Sequence, residues 1–529
     1  MCRCRASRCR ISIHLLLQAQ CRPTPLSRRR RRNLRLSDLC ADLPLDPRAA
    51  ALDVAGLTAD SRAVRPGYVF AALKGTQADG HRFIPDARRA GAVAVLSDHV
   101  DQAFADQIAF VTDSNPRRRL ALMAASFFGA QPRHIAAVTG TNGKTSVANF
   151  TAQIWARLGH KSASLGTLGL HGAGLDVPVA HTTPDPVRLH ELLSMAQQAG
   201  VEHLALEASS HGLDQFRLDG IRPQAAAFTN LTRDHMDYHA TVEDYFNAKL
   251  RLFEMLLPAN GAAVINMDSA LGAKVEQICT RRGQRLIRYG QLGTELKLLS
   301  AVPHASGLQV EAEVFGVRRH VDLPLIGGFQ AGNVLAALGL VVGCGVHAAA
   351  AWETLGSLDG VPGRMQKAAQ RKNGASVFVD YAHTPDALET VLKAARPHTM
   401  QRLVVVFGCG GDRDRGKRPL MGEVATKFAD RVFVTDDNPR TEDAATIRAA
   451  VMAVAEGATE IGDRRAAVFA AVNELQAGDL LLIAGKGHEQ GQIVGSEVRP
   501  FDDLLVAREA VSAVEEVSGS GSAPYGGKG

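Results

Sequence analysis

The chain has 529 residues, 46% hydrophobic and 22% charged, a globular composition long enough for about three ordinary domains. Its formal charge of +6 does not argue for a nucleic-acid partner, because residues 1–33 hold ten arginines and no acid and the rest carries 50 basic against 54 acidic side chains, a net of −4. No run approaches the roughly 20 apolar residues of a membrane span, and the eight cysteines include no CxxC pair, so reduced thiols in a cytoplasmic protein are a better reading than a zinc site or a disulfide framework.

Residues 1–33 lack periodicity and end in five consecutive arginines at 28–32; such a composition buries no core and is expected to be disordered. Arginines do precede the apolar stretch 11–17, as in a secretory signal, but that stretch is short and the flank after it is again basic. A first domain, 34–134, has a mixed pattern, with strands predicted at 68–73 and 93–96 and a helix at 117–128. Its polar turn at 58–62 and the stretch 74–80 are rich in small and hydroxyl residues that can cradle a sugar or a diphosphate, although Asp60-Ser61-Arg62 alone reads as an ordinary turn.

The second domain, 135–361, opens on IAAVTGTNGKTS at 135–146. Gly140 and Gly143 let the backbone close around an anion and turn the N–H groups of the next helix toward it. Lys144 adds a compact positive charge, and Thr145 offers a hydroxyl where a phosphate-bound Mg²⁺ would sit. The general P-loop pattern wants a glycine where Val138 stands, so the shorter Gly-Thr-Asn-Gly-Lys-Thr remains. Its place between an apolar strand and a helix at 147–158, closed by Gly159, supports nucleoside triphosphate binding. Beyond it, short apolar runs alternate with helical patterns, which predicts a largely parallel sheet covered by helices, with active residues where strands end. The run 203–206 delivers Glu207 beside small hydrogen-bonding residues, as a metal site requires. The run 225–229 opens into a loop holding Asp234, His235, Asp237 and His239, better read as site residues than as plain surface. A helix at 242–257 carries Lys249 among Phe246, Leu250 and Phe253, where pattern alone assigns a solvated or snorkelling lysine. Further strands are predicted at 308–314 and 321–326, and a helix at 333–342.

The third domain, 362–515, has predicted strands at 377–379, 403–407, 432–434 and 480–483, each feeding a polar loop: 380–386, 408–418, 436–440 and 485–489. Four such loops at one sheet edge make a binding face. Residues 516–529 end in glycine and serine and are expected to form a disordered tail.

Assembled, the motifs TxDSR at 58–62, GTNGKT at 140–145, ExSSHGL at 207–213 and TNLxRDHxDYH at 229–239 resemble those of the Mur ligases of peptidoglycan synthesis. DYAHTPDALE from Asp380, FGCGGDRDxGKRPLM from Phe407, DDNPR from Asp436 and AGKGHE from Ala484 extend the resemblance over about 33–511. It implies a three-domain α/β architecture with a central P-loop-type ATP-binding domain and a Rossmann-like C-terminal domain. It further implies an ATP-dependent ligase: the terminal carboxylate of UDP-MurNAc-dipeptide takes the γ-phosphoryl of ATP, and the amine of meso-diaminopimelate attacks the acyl phosphate, with Mg²⁺ holding the charges.

By that resemblance Lys144, Lys249, His235 and Glu207 are catalytic, and Thr145, Glu207, His235 and Lys249 hold metal. Lys249 does so as N6-carboxylysine, formed by addition of CO₂. ATP is met by Gly140, Thr141, Asn142, Gly143, Lys144, Thr145, Ser146, Asn333, Arg364, Asp380 and His383. The UDP substrate is met by Ala59, Ser61, Thr76, Gln77 and Ala78 in the first domain and by Thr182, Thr183, Ser209, Gln215 and Arg217 in the second. Thr76 departs from the family, whose members often have histidine there. Diaminopimelate is met by Arg413, Asp437, Asn438, Pro439, Arg440, Gly485 and Glu489, with Arg440 suited to its distal carboxylate through two parallel hydrogen bonds. No nucleic-acid partner, no membrane span and a monomer are expected. The alternatives are a related ligase adding L-lysine, a folylpolyglutamate synthetase-like ligase, which shares the short glycine loop but not TxDSR or DNPR, and a nucleotide-binding switch or kinase.

Overall fold

The computed structural model describes residues 34–520 except 76, 77, 233, 235, 237 and 305. The arginine-rich N-terminus, the chain beyond 520, and the predicted site residues Thr76, Gln77 and His235 thus lie outside the described residues. The chain divides into two compact units, 1–112 and 113–529.

In the first unit four parallel strands, Gly56–Thr58, Tyr68–Ala71, Ala94–Ser97 and Ala109–Thr112, lie side by side in chain order. Phe70 and Val95 from the sheet pack with Ile84 and Ala87 of the helix Ile84–Arg89. The helix Pro116–Phe128, expected in the first domain, packs with the second of these compact units. Arg118 of that helix pairs with Asp219 at 3.1 Å, and Gln131 after it donates to the Gly220 carbonyl at 3.2 Å.

The second unit holds two large sheets and a two-stranded hairpin, Gly491–Val494 with Glu497–Pro500. In the larger, of eleven strands, His134–Thr139 lies between His203–Glu207 and Ala225–Phe228 in a parallel core. Ser162–Gly166 continues that core on one side, Ala262–Asn266 and Arg285–Gly290 continue it on the other, and antiparallel strands finish both ends. Successive side chains of a strand face opposite ways. Accordingly Ala136, Val138, Ala225, Ala227 and Val264 enter one core cluster. Ile135, Ala137, Ala226, Phe228 and Ile265 enter the other. Both faces are covered by helices, which is why these strands read as unbroken apolar runs.

On one face the helices Lys144–Arg157 and Phe329–Gly343 pack together. Gly339 and Gly343 allow the second to lie close to the sheet: a Cβ on either would stand 2.6 Å from Val264 or 2.8 Å from Ala225. That helix starts four residues before the predicted 333, because Gly332, which reads as a breaker in sequence, is simply a helical residue here. The predicted helix 242–257 is an α-helix Val242–Arg251 that runs on as a π-turn Leu252–Leu256. The strand predicted at 321–326 is Val317–Leu323. It is set by the preceding turn, where Phe315 and Gly316 both take positive φ, 49° and 81°, the geometry of a two-residue hairpin.

The smaller sheet has the order Gln366–Gln370, Ser376–Asp380, Leu480–Ala484, Leu403–Phe407, Arg431–Val434, Thr459–Glu460, with only the first strand antiparallel. The same alternation divides Phe378, Val405 and Leu482 from Val377, Val406 and Ile483 between two cores. The last helix, Asp503–Ser520, enters the stretch 516–520 expected to be tail. Among the described residues no helix is long and apolar enough to cross a membrane.

Candidate active site

The strand His134–Thr139 ends at the glycine loop. Gly140 and Gly143 take φ of 148° and 88°, and a Cβ on the first would overlap Thr229 Oγ1, while one on the second would stand 2.6 Å from Asn333 Oδ1. Only glycine permits this curvature at this closeness. Thr229 Oγ1 donates to the Asn142 carbonyl at 2.6 Å and the Asn142 N–H donates to Asn230 Oδ1 at 2.9 Å, so the next strand end holds the loop in place.

Lys144 Nζ donates to the Gly140 and Thr141 carbonyls at 2.9 and 2.7 Å, which commits two of its three N–H groups and leaves one for a ligand. Although it is partly exposed to the cavity, desolvation lowers its pKa, against the pull of Glu207 and Asp234. Glu207, 2% exposed, is held by neutral donors: Thr145 Oγ1 at 3.0 Å, the Thr167 N–H at 2.8 Å and Thr167 Oγ1 at 3.2 Å. Lys249 is not snorkelling. It is 1% exposed, donates to the Gly140 carbonyl at 2.8 Å and lies 4.3 Å from the Tyr245 ring centroid. Desolvation above all, then the Lys144 charge, holds its pKa well below that of a free lysine.

These groups line a cavity of about 610 Å³ together with Asn333, Arg364, Asp380 and His383. Asp380 accepts from the Met365 and Ala382 N–H groups at 2.7 and 2.8 Å. Burial raises its pKa, with the Arg364 guanidinium opposing. Burial lowers the pKa of His383, whose Nδ1 bonds the Tyr381 carbonyl at 2.8 Å. Arg364 stacks on Tyr381 at 4.7 Å, and Tyr381 meets the His488 ring at 5.2 Å.

Beside the glycine loop Thr183 Oγ1 donates to the Glu207 carbonyl at 3.1 Å and accepts from Ser209 Oγ at 2.9 Å. Arg217 donates to the Thr183 carbonyl at 2.8 Å and to Gln215 Oε1 at 2.7 Å, and Thr182 Oγ1 lies 3.0 Å from Thr167 Oγ1. The five residues assigned to the UDP substrate in this unit are thus brought together. In the first unit Asp60 accepts from Arg62 Nε and Nη2, both at 2.9 Å, and closes the turn that presents Ala59 and Ser61. The Gly75 N–H donates to the Ala78 carbonyl at 2.9 Å.

The third cluster lies at the C-terminal edge of the smaller sheet. Lys486, 0% exposed, is 3.2 Å from Glu489 Oε2 and 3.6 Å from Asp437 Oδ1, and donates to Asn438 Oδ1 at 2.9 Å. Asn438 donates to Glu489 at 2.9 Å, and the Gly485 Cα hydrogen faces the Asp437 carboxyl. Arg440 follows Pro439 at φ 52°, a left-handed conformation unusual for a non-glycine residue. Its Nη1 donates to the Gly411 carbonyl at 2.8 Å and more weakly to that of Asn438 at 3.4 Å, which leaves the Nε and Nη2 edge open. Arg440 and Arg413 both flank Gly410, within 4 Å of where its Cβ would be.

Sequence reasoning assigned no role to Thr167, Tyr381 or Lys486. The last two lie inside quoted motifs, whereas Thr167 carried no signal: it stands in no quoted motif, and its shorter bond to Glu207 is made by its backbone N–H.

A glycine loop joined to a buried carboxylate and a buried lysine, with a charged cluster at the end of the second sheet, fits an ATP-using ligase of the Mur type, and the comparisons agree. Residues 53–127 match the Mur ligase family catalytic domain, 138–341 the Mur ligase middle domain and 363–487 the Mur ligase glutamate ligase domain. The chain belongs to the Mur ligase family. It is 53% identical over 485 residues, 91% of this chain and 99% of the relative, to the UDP-N-acetylmuramoyl-L-alanyl-D-glutamate--2,6-diaminopimelate ligase of Bradyrhizobium diazoefficiens. A solved structure of a ligase with that same name superposes with a TM-score of 0.69 at 34% identity, over 91% of this chain and 99% of that one. The MurF ligase of Thermotoga maritima in complex with ADP shares the fold, with a TM-score of 0.57 at 19% identity over 87% and 98% of the two chains.

Proposed function

We propose that the protein joins meso-2,6-diaminopimelate to UDP-N-acetylmuramoyl-L-alanyl-D-glutamate, with ATP hydrolysed to ADP and phosphate, in peptidoglycan synthesis. The observation that carries the reading is the single cavity in which the glycine loop, Glu207 and Lys249 face Arg364, Asp380 and His383. Residues 34–134 bind the UDP end, 135–361 bind ATP and 362–515 bind the amino acid.

Making an acyl phosphate means bringing a carboxylate up to the γ-phosphoryl of ATP, so anion repulsion is the barrier to be lowered. The loop N–H groups and Lys144 receive the phosphate oxygens. Arg364, held flat on Tyr381, adds a second cation, and His383, kept neutral by burial, donates or accepts without adding charge. Arg217, Thr183 and Ser209 orient the substrate carboxylate. The amine of diaminopimelate then attacks the acyl carbon, and phosphate leaves with the bonding pair.

The oxygen donors of Thr145 and Glu207 suit Mg²⁺, and His235 completes the assignment from outside the described residues. Bound there, Mg²⁺ would neutralise phosphate charge. Lys249 suits carbamylation: a neutral amine attacks CO₂ and releases one proton, and its depressed pKa supplies that neutral form. The carbamate keeps an N–H for the Gly140 carbonyl while it turns a neutral amine into an anion that could hold the metal.

The Arg440 guanidinium beside Gly410, with the Arg413 side chain next to it, favours an amino acid with a distal carboxylate over L-lysine. The test is ATP turnover by purified protein with each substrate omitted in turn. Phosphate release should require both the UDP-dipeptide and diaminopimelate; release at full rate without them would point to a kinase or switch.

A further inference from the structure

We propose that the end of the central sheet opposite the glycine loop binds one divalent transition-metal ion, of the zinc, copper or cobalt class, through His160, Glu202 and His203. One ligand atom from each of the three lies within 4.8 Å of the other two. The backbone fixes this meeting: the Glu202 and His203 N–H groups both donate to the Lys161 carbonyl, at 2.9 and 3.2 Å, and the His160 N–H donates to Trp155 at 3.0 Å. His203 opens its strand directly across from His134, which opens the central one. The His134 and His203 rings stack at 4.5 Å, His160 meets His203 at 4.4 Å, and Trp155 lies 5.0 Å away.

The observation that points to a ligand is His203 itself. It is 5% exposed, and its Nδ1 is buried with no hydrogen-bond partner. A buried ring nitrogen left unsatisfied is costly. A metal ion satisfies it.

Two imidazoles and a carboxylate select zinc, copper or cobalt over magnesium or calcium. Metal–nitrogen bonds of about 2.0 Å place ligand atoms roughly 3.3 Å apart. His160, half-buried, and Glu202, exposed, therefore swing inward by about an ångström and a half. The cation lies just past the C-terminus of the helix Lys144–Arg157, where the helix dipole favours it. It is separated from the glycine loop by the length of the strand His134–Thr139, about 17 Å at 3.3 Å per residue. It is thus a structural clamp on the strands that end in Glu207 and the glycine loop, distinct from the nucleotide cavity.

The chain has two tryptophans, so Trp352→Phe makes Trp155 the only indole emitter. Full-length, chelator-treated protein in that background, with its accessible thiols alkylated and Mg²⁺ in excess, is titrated with Co²⁺ while Trp155 emission is read. One equivalent should quench saturably, and diamagnetic Zn²⁺ should reverse the quenching. His160→Gln and Glu202→Gln, each checked by circular dichroism for an unchanged fold, should each weaken binding at least about tenfold. Zn²⁺ should raise the thermal midpoint of the unsubstituted chain but not that of His160→Gln. Metal binding without Trp155 quenching, quenching that does not saturate, or both variants titrating like the unsubstituted chain would overturn the site.

Discussion

Lys144 and Lys249 donate to the same carbonyl, that of Gly140, at 2.9 and 2.8 Å, and two ammonium groups this close in a desolvated site cannot both stay charged cheaply. The more buried one gives way, which makes Lys249 the neutral amine and leaves Lys144 the cation, to which the proposed function gives the phosphate. Lys249→Ala should lower ligation at least about a hundredfold, and a short carboxylic acid in the buffer should restore part of the rate by standing in for the carbamate. No rescue, together with a mass spectrum showing bare lysine in active enzyme, would count against that role. Lys144→Ala should keep less than about a tenth of the activity while circular dichroism is unchanged. The glycine loop was legible in sequence because its chemistry is local: two glycines, a lysine and a threonine act within six residues. Lys249 was not, because whether a helical lysine faces solvent or Gly140 is decided by the strand and loop packed against it, and only the family resemblance singled it out.

Among the elements, the helices Arg464–Glu474 and Asp503–Ser520 are joined by one fully buried ion pair. Arg464 donates to Asp503 Oδ1 and Oδ2 at 2.8 and 2.7 Å, and both side chains are 0% exposed. Arg464 also donates to the Ala484 carbonyl at 3.0 Å, at the end of the strand that feeds the loop of Gly485, Lys486 and Glu489. Removing the arginine leaves a carboxylate buried without its partner, so Arg464→Ala should cost about 3–5 kcal/mol in chemical denaturation. A loss under about 1 kcal/mol would show that the pair is not what fixes this corner. Of the strands that were predicted, those with both faces buried were foreseen most closely, Leu403–Phe407 to the residue, because apolar runs mark them directly, whereas the small residues of Ser162–Gly166 gave no such run. Val317–Leu323 is edge structure, with Val317, Arg318 and His320 toward solvent or only partly covered. Its bounds follow from a turn and not from hydrophobicity, which is why the predicted strand lay too far along.

At the scale of the molecule, the position of helix Pro116–Phe128 could not be read from pattern, since an amphipathic helix specifies that it packs but not against which neighbour. The convergence of four loops at one sheet edge was legible, because parallel strands deliver their ends to the same side. On the function proposed, which amino acid that edge takes depends on Arg440, which has a positive φ and holds the Gly411 carbonyl through Nη1. Removing one partner of a charge-assisted pair of this kind costs roughly 2–5 kcal/mol, at least about a hundredfold in kcat/KM. The measurement that tests the account most directly is therefore amide formation on UDP-MurNAc-dipeptide with diaminopimelate or L-lysine at matched concentration, in the unsubstituted protein and in Arg440→Ala. The account predicts a preference for diaminopimelate of at least about a hundredfold, reduced in Arg440→Ala chiefly by weaker use of diaminopimelate. Equal use of the two amino acids by the unsubstituted protein would contradict it.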